Sequence, residues 1–101
     1  MSGLPVAIPK EFVEDFCLRN RIHRLSLFGS VLTSRFKPES DVDVLVEFDP
    51  GASVTYLDLA RMEQELSEVL RRKVDLRTPR ELSRYFRDRV ASEALVQYER
   101  Q

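Results

Sequence analysis

Residues 41–48, DVDVLVEF, constrain the fold more than any other stretch of the chain. A short valine-rich run with Pro38 before it and Pro50 after it is typical of a β-strand. Residues two apart in a strand share a face, so the two faces carry Asp41, Asp43, Leu45 and Glu47 on one side and Val42, Val44, Val46 and Phe48 on the other. Both faces are apolar beyond the second aspartate, which predicts a strand whose middle is buried on both sides.

Two aspartates, Asp41 and Asp43, stand side by side at the entrance of this strand. Neighbouring carboxylates raise each other's pKa unless a cation joins them. A hard divalent ion such as Mg²⁺ suits the pair, because it takes a few carboxylates and completes its shell with water and phosphate oxygens. Acidic residues also blunt strand ends, so the pair alone is weak evidence for a metal site.

A third aspartate, Asp75, lies in a short apolar run at residues 73–77, which predicts another strand. If this strand lies beside 41–48, Asp75 joins the first two carboxylates. Three carboxylates can hold one or two metal ions, one to orient a nucleoside triphosphate and a second to activate an attacking hydroxyl. The alternative is a solvated residue that pairs with Arg72 or Arg77.

Gly29 and Ser30 follow a short run with β character at residues 24–28. Glycine at a strand end lets the backbone come close to a ligand. A serine that opens the next helix offers its hydroxyl and free backbone N–H groups, which attract phosphate. Gly-Ser alone is a common strand-to-helix turn. Its order and spacing relative to the three aspartates are what predict a site for a metal and a triphosphate.

The other elements are predicted from periodicity, caps and turns. Helices are expected at residues 10–20 and 56–71. Thr78, as N-cap, and Pro79 begin one or two further helical segments that run to about Tyr98. A loose arm is expected at 1–8, a helical turn at 30–36, a loop at 37–40 and a turn at 49–51. The order α-β-(α)-β-α-β-α predicts one domain, residues 1–101, of the α/β or α+β class with a small mixed sheet flanked by helices.

Composition narrows the functional classes. The chain carries 16 Lys and Arg against 17 Asp and Glu, a net charge of −1, so stable nucleic-acid binding is not expected. The single cysteine, Cys17, and the single histidine, His23, exclude an internal disulfide framework and make a zinc cluster implausible. No apolar run approaches the roughly 20 residues of a membrane span, and no signal peptide is recognised, which predicts a cytoplasmic protein.

Three motifs together resemble a known superfamily. FGSVL at 28–32, PESDVDVLVEF at 38–48 and VDLRTP at 74–79 are similar to the motifs of nucleotidyltransferases related to DNA polymerase β. The short length resembles the minimal members, the MNT proteins, and the resemblance covers the chain from about residue 9 to its C-terminus. It implies the polymerase β-like nucleotidyltransferase fold in its minimal form.

The resemblance also implies roles for individual residues. Asp41 and Asp43 would be ligands of one or two Mg²⁺ ions, and Asp75 would be the third carboxylate, in the general-base position. Gly29, Ser30 and Ser40 would bind the nucleotide, with ATP as the substrate. MNT proteins usually accompany a helical HEPN protein, and in characterised toxin–antitoxin pairs the MNT antitoxin transfers AMP from ATP to a tyrosine of the HEPN toxin.

Three functions stay open from the sequence. The first is AMP transfer to a partner protein; the second is an antitoxin that neutralises its HEPN partner by binding alone; the third is a nucleotidyltransferase for a small molecule or RNA ends. Clustered carboxylates argue against pure binding, and the lack of an acceptor domain and of net basic charge argues against the third. The acceptor is expected on another polypeptide or a second copy, and the oligomeric state stays open.

Several other residues can be interpreted either as structural or as functional. The segment 85–98 has apolar residues at near-helical spacing, which predicts a helix that covers the sheet or docks a partner helix. His23 is either a strand-end residue or a catalytic base. Arg35, Lys37 and the basic cluster at 71–73 are either solvated or contacts for phosphate.

Overall fold

The computed structural model describes residues 8–29, 41–81, 88–89 and 92–100. They include two helices, α1 (Lys10–Arg19) and α2 (Tyr56–Leu70), and four strands, β1 (Ile22–Phe28), β2 (Val42–Phe48), β3 (Val74–Arg77) and β4 (Leu95–Glu99). Residues 88–89 and 92–93 are also helical. A 3-10 turn spans Pro79–Glu81. Within these ranges, neither helix is long and apolar enough to cross a membrane.

The four strands form one mixed sheet in the order β3-β2-β1-β4. β1 runs antiparallel to both β2 and β4, whereas β3 is parallel to β2. The prediction of a small mixed sheet flanked by helices is therefore confirmed. β2 is an inner strand, as its valine-rich sequence requires: Val44 is buried on one face and Leu45 on the other.

Helices α1 and α2 supply the apolar cover of one sheet face. Each presents an apolar stripe, because side chains three or four apart in a helix lie on the same side. The buried members of this core are Val13, Phe16, Cys17, Ile22, Leu25, Leu27, Val42, Val44, Val46, Met62, Leu66, Leu70, Val74 and Leu76. A second, smaller cluster joins Phe28 to Leu45, with Ala94 packed against it.

Both ends of α2 have local causes. Thr55 accepts a hydrogen bond from the Asp58 N–H at 3.2 Å, and the Asp58 carboxylate accepts one from the Thr55 N–H at 2.9 Å. This reciprocal capping box satisfies two backbone donors that a helix start would otherwise leave free. The helix ends where Arg71 adopts a left-handed conformation, with φ of 56°.

The prediction that helical segments run to about Tyr98 is wrong at its C-terminal end, because residues 95–99 form strand β4. Tyr98 pairs with Leu25, and Val96 pairs with Ser26. The near-helical apolar spacing at 85–98 also contains a short β-compatible run, and the free edge of β1 supplies its hydrogen-bonding partners. Pro79–Glu81 makes only one 3-10 turn. Residues 82–87 and 90–91 lie outside the described residues, as do residues 1–7 of the expected arm and the segment 30–40.

Strand β3 is held on its outer side by α2. The Val74 N–H donates to Ser67 Oγ at 3.0 Å, and the Leu76 N–H donates to Glu63 Oε2 at 2.8 Å. The Ser67 hydroxyl in turn donates to the Glu63 carbonyl at 2.8 Å. An edge strand normally presents unpaired amides, and here two of them are satisfied by side chains. The two amides flank Asp75, so α2 helps to set the position of that carboxylate.

We expect Ser67→Ala to lower the free energy of unfolding by about 1 kcal/mol, because it leaves the Val74 amide without its acceptor and alanine's better helix propensity offsets only part of the loss. Urea unfolding followed by circular dichroism measures the change. Gln64→Ala, at an exposed position of the same helix, is the matched control and should change stability by less than about 0.5 kcal/mol. Equal effects of the two substitutions would contradict a special role for Ser67.

Candidate active site

The parallel pairing of β2 and β3 brings two of the predicted aspartates together. Asp43 and Asp75 are direct partners in the register, and Asp41 lies immediately before β2. The side chains of Asp41 and Asp75 are partly exposed, at 43% and 33%. The expectation that the third aspartate's strand lies beside 41–48 is thus confirmed, and three carboxylates from two adjacent strands stand at the same end of the sheet.

Gly29 lies directly against Asp43. β1 ends at Phe28, which pairs with Asp43 across the antiparallel ladder, and Gly29 follows with φ of +77°. A Cβ placed on Gly29 would lie 3.1 Å from Asp43 Cγ and would overlap the carboxylate oxygen Oδ2. Glycine is favoured here both by its backbone conformation and by the space that the Asp43 carboxylate occupies. The sequence suggests the first reason through the strand-end position, but only the register reveals the second.

The surroundings of Asp43 disfavour its charged form. Burial raises its pKa above the usual 3.8, the charges of Asp75 and Asp41 raise it further, and Arg77 opposes the shift. A carboxylate whose charged form is disfavoured by its neighbours gains from a nearby cation. A cation bound next to Asp43 is therefore electrostatically favourable.

Two cationic side chains already contact the group. Arg77 Nη2 lies 3.1 Å from Asp75 Oδ2, and Lys73 Nζ lies 3.9 Å from Asp41 Oδ2. The sequence left open whether Asp75 joins the other aspartates or pairs with an arginine, and the structure has both features at once. The Lys73 side chain is 78% exposed, so its contact contributes little.

The oxygen donors of the three aspartates are of the chemical type that binds a hard cation. Carboxylate oxygens are the protein ligands that Mg²⁺ prefers, and Asp41, Asp43 and Asp75 supply them. No three acidic, histidine or cysteine side chains in the described part of the chain converge closely enough to enclose a metal ion. Arg77 occupies one oxygen of Asp75, so the third carboxylate is engaged by a cation of the protein itself.

The other predicted site residues separate into two groups. Ser30, Ser40, Arg35 and Lys37 lie outside the described residues, so their nucleotide contacts stay predictions. His23 lies at the far end of β1, where its Nδ1 is 3.0 Å from the Phe48 carbonyl oxygen. His23 stands five positions before Phe28 in the strand, about 16 Å away, so it does not join the aspartates.

Cys17 belongs to the core, as expected. It is fully buried among the residues of the main cluster. Burial raises the pKa of its thiol to about 12, so the thiolate is absent at neutral pH and the side chain acts as a small apolar group.

Comparisons with known proteins agree on one family. The nucleotidyltransferase domain model matches residues 9–97. A putative protein adenylyltransferase of Methanocaldococcus jannaschii is 41% identical over 86 residues, which cover 85% of this chain and 90% of the relative. The solved structure of a putative minimal nucleotidyltransferase is 36% identical with a TM-score of 0.72, over 85% of this chain and 86% of that chain.

A more distant structural match concerns the fold. In the complex of the tri-AMPylated Shewanella oneidensis HEPN toxin with an MNT antitoxin, one chain is 19% identical with a TM-score of 0.65. The match covers 91% of this chain and 71% of that chain. The four-stranded sheet with two helices is thus the fold of a minimal nucleotidyltransferase.

Proposed function

This chain belongs to the nucleotidyltransferase domain family, and on that premise we propose that it transfers AMP from ATP, with Mg²⁺, to a hydroxyl group of a partner protein. The observation that carries the proposal is the register that pairs Asp43 with Asp75 beside Asp41. A protein that acted by binding alone would have no need to place two mutually repelling carboxylates in direct register.

The acceptor is a HEPN-type helical protein, with a tyrosine as the modified side chain, and the chain acts as its antitoxin in the cytoplasm. Two similarities support this partner class. The relative at 41% identity is named for protein adenylyl transfer. The fold also matches a chain in the complex of an AMPylated HEPN toxin with an MNT antitoxin.

The chemistry divides among the residues of the site. Asp41 and Asp43 would hold Mg²⁺, with Asp75 as the third carboxylate ligand, and the ion would neutralise phosphate charge when bound. Gly29 keeps the backbone open beside Asp43, and Ser30 and Ser40 would bind the nucleotide. Asp75 accepts the proton of the acceptor hydroxyl. The acceptor oxygen then forms a bond to the α-phosphorus as the bond to the bridging oxygen breaks, and pyrophosphate leaves.

The test is transfer of label from α-³²P-ATP in the presence of Mg²⁺, with and without the protein encoded by the adjacent gene. We expect label on the neighbour, and Asp41→Asn should reduce it by at least about a hundredfold because a metal ligand is lost. Glu47→Gln is the matched control: it lies on the same face of β2, at the other end, and pairs with Arg24 at 3.2 Å. Labelling by this control should stay near the wild-type level.

The same experiment separates the alternatives. If the neighbour is neutralised without label, and in the absence of ATP and Mg²⁺, the chain is an antitoxin by binding alone. If label appears on a small molecule or on RNA instead of protein, the acceptor class proposed here is wrong. Label that persists in Asp41→Asn would contradict the assigned role of that carboxylate.

A further inference from the structure

We propose that Arg77 is a built-in counterion of the carboxylate site, which holds Asp75 before a metal ion arrives and is displaced from it when the metal binds. The inference rests on the proposed function, since it assumes that the aspartates receive a divalent ion. It assigns Arg77 a positioning role in which it tunes how strongly the site takes that ion.

The guanidinium group of Arg77 lies beside the carboxylates. Asp75 and Arg77 are two residues apart on β3, so both project from the same face of the strand. Arg77 Nη2 contacts Asp75 Oδ2 at 3.1 Å. Because Asp75 is the register partner of Asp43, the arginine stands next to the acidic group and not at a distant surface position.

Arg77 has a second carboxylate partner that it can keep after it leaves Asp75. Its Nη1 lies 3.5 Å from Glu81 Oε2. Glu81 is itself held, because its Oε1 accepts from both the N–H and the hydroxyl of Thr78, each at 3.3 Å. The other carboxylate oxygen of Glu81 therefore remains available to Arg77. The guanidinium can give up Asp75 without losing all its carboxylate contacts.

The charges of the site favour exchange of Arg77 for a metal ion. Asp43, Asp41 and Asp75 repel one another, and Arg77 is the cation that lowers this repulsion at Asp43. A divalent ion has twice the charge of the guanidinium and coordinates carboxylate oxygens directly. The two cations repel each other and compete for the same oxygen of Asp75. Metal binding and the Arg77–Asp75 contact are therefore expected to be mutually exclusive.

The test is metal binding to the full chain without nucleotide, with Mg²⁺ in calorimetry and Mn²⁺ in electron paramagnetic resonance. Arg77→Gln removes the competing charge and should raise metal affinity about three- to tenfold. Arg77→Lys keeps the charge but loses the planar guanidinium group. Its metal affinity should therefore lie between that of the wild type and that of Arg77→Gln. The control is Arg80→Gln, an exposed position that changes the net charge equally; its affinity should change by less than about twofold.

The outcomes separate this inference from the proposed function. If Asp41→Asn abolishes metal binding and Arg77→Gln raises affinity, both stand. If Asp41→Asn abolishes binding but Arg77→Gln leaves affinity unchanged or lowers it, the counterion role is overturned and the metal site survives. If the wild-type chain binds no metal, or binds it independently of Asp41, both are overturned. Should Arg77→Gln fail to fold, Arg77→Lys decides, since an affinity equal to or below wild type would overturn the inference.

Discussion

Asn in place of Asp43 is expected to lower the rate of AMP transfer by at least about a thousandfold, while the protein stays folded. Asparagine has the shape of aspartate but brings no charge to a metal ion. Asp43 lies at the centre of the carboxylate group, between its register partner Asp75 and Asp41. Loss of its charge therefore removes the ligand that the other two carboxylates surround.

The same substitution should not destabilise the metal-free protein at neutral pH. Burial, Asp75 and Asp41 raise the pKa of Asp43 above 3.8 in the folded state. A raised folded-state pKa means that the group's contribution to stability is fully present below the unfolded-state pKa and is lost as the pH rises through the folded-state pKa. In Asp43→Asn this loss is absent. The variant should match or exceed the wild type above that pH, with a shallower dependence of stability on pH.

Two measurements check this prediction. Label transfer under single-turnover conditions gives the activity, and urea unfolding in EDTA at several pH values between about 4 and 8 gives the stability. Asp15→Asn, an exposed aspartate on α1 that pairs with Arg19, is the control for loss of one charge and should keep its activity. Normal transfer by Asp43→Asn would remove Asp43 from the mechanism, and a collapsed fold would show that its role is structural.

A single methyl group at Gly29 is expected to have the second-largest effect. Gly29→Ala places a Cβ onto the Asp43 carboxylate, and its φ of +77° is unfavourable for alanine. Asp43 must move away, or the end of β1 must shift. We expect a loss of transfer activity of about a hundredfold, since misplacing a reacting group by about 1 Å has that order of effect. The free energy of unfolding should fall by about 1–3 kcal/mol.

Gly51→Ala separates the collision from the backbone strain. Gly51 has nearly the same conformation, with φ of +83°, but a Cβ there would meet no atom of the described residues within 4 Å. This control should lose about 1 kcal/mol of stability and keep its activity. The two variants are compared by thermal unfolding and by label transfer. If both lose activity equally, or neither does, the contact between Gly29 and Asp43 is not what limits the site.

Several elements could be predicted from the sequence because their causes are local. β2 follows from a valine-rich run between two prolines, and α2 follows from its apolar stripe and the Thr55 cap. The three aspartates and Gly29 also stand out, because charge at the head of an apolar strand and glycine at a strand end are unusual enough to need a reason. Residue type and short-range spacing determine these features.

Only the tertiary structure decided how the local elements meet. The parallel register that pairs Asp43 with Asp75 depends on long-range backbone hydrogen bonds, which no window of sequence contains. β4 became a strand because the edge of β1 offered it partners, and this outweighed a near-helical spacing. Three further features arise from this packing. A side chain at Gly29 would clash with Asp43, α2 side chains accept hydrogen bonds from β3, and Arg77 lies between Asp75 and Glu81. The sequence determined which residues could form the site, and the sheet register determined which of them touch, because contact distances follow from strand pairing and not from spacing along the chain.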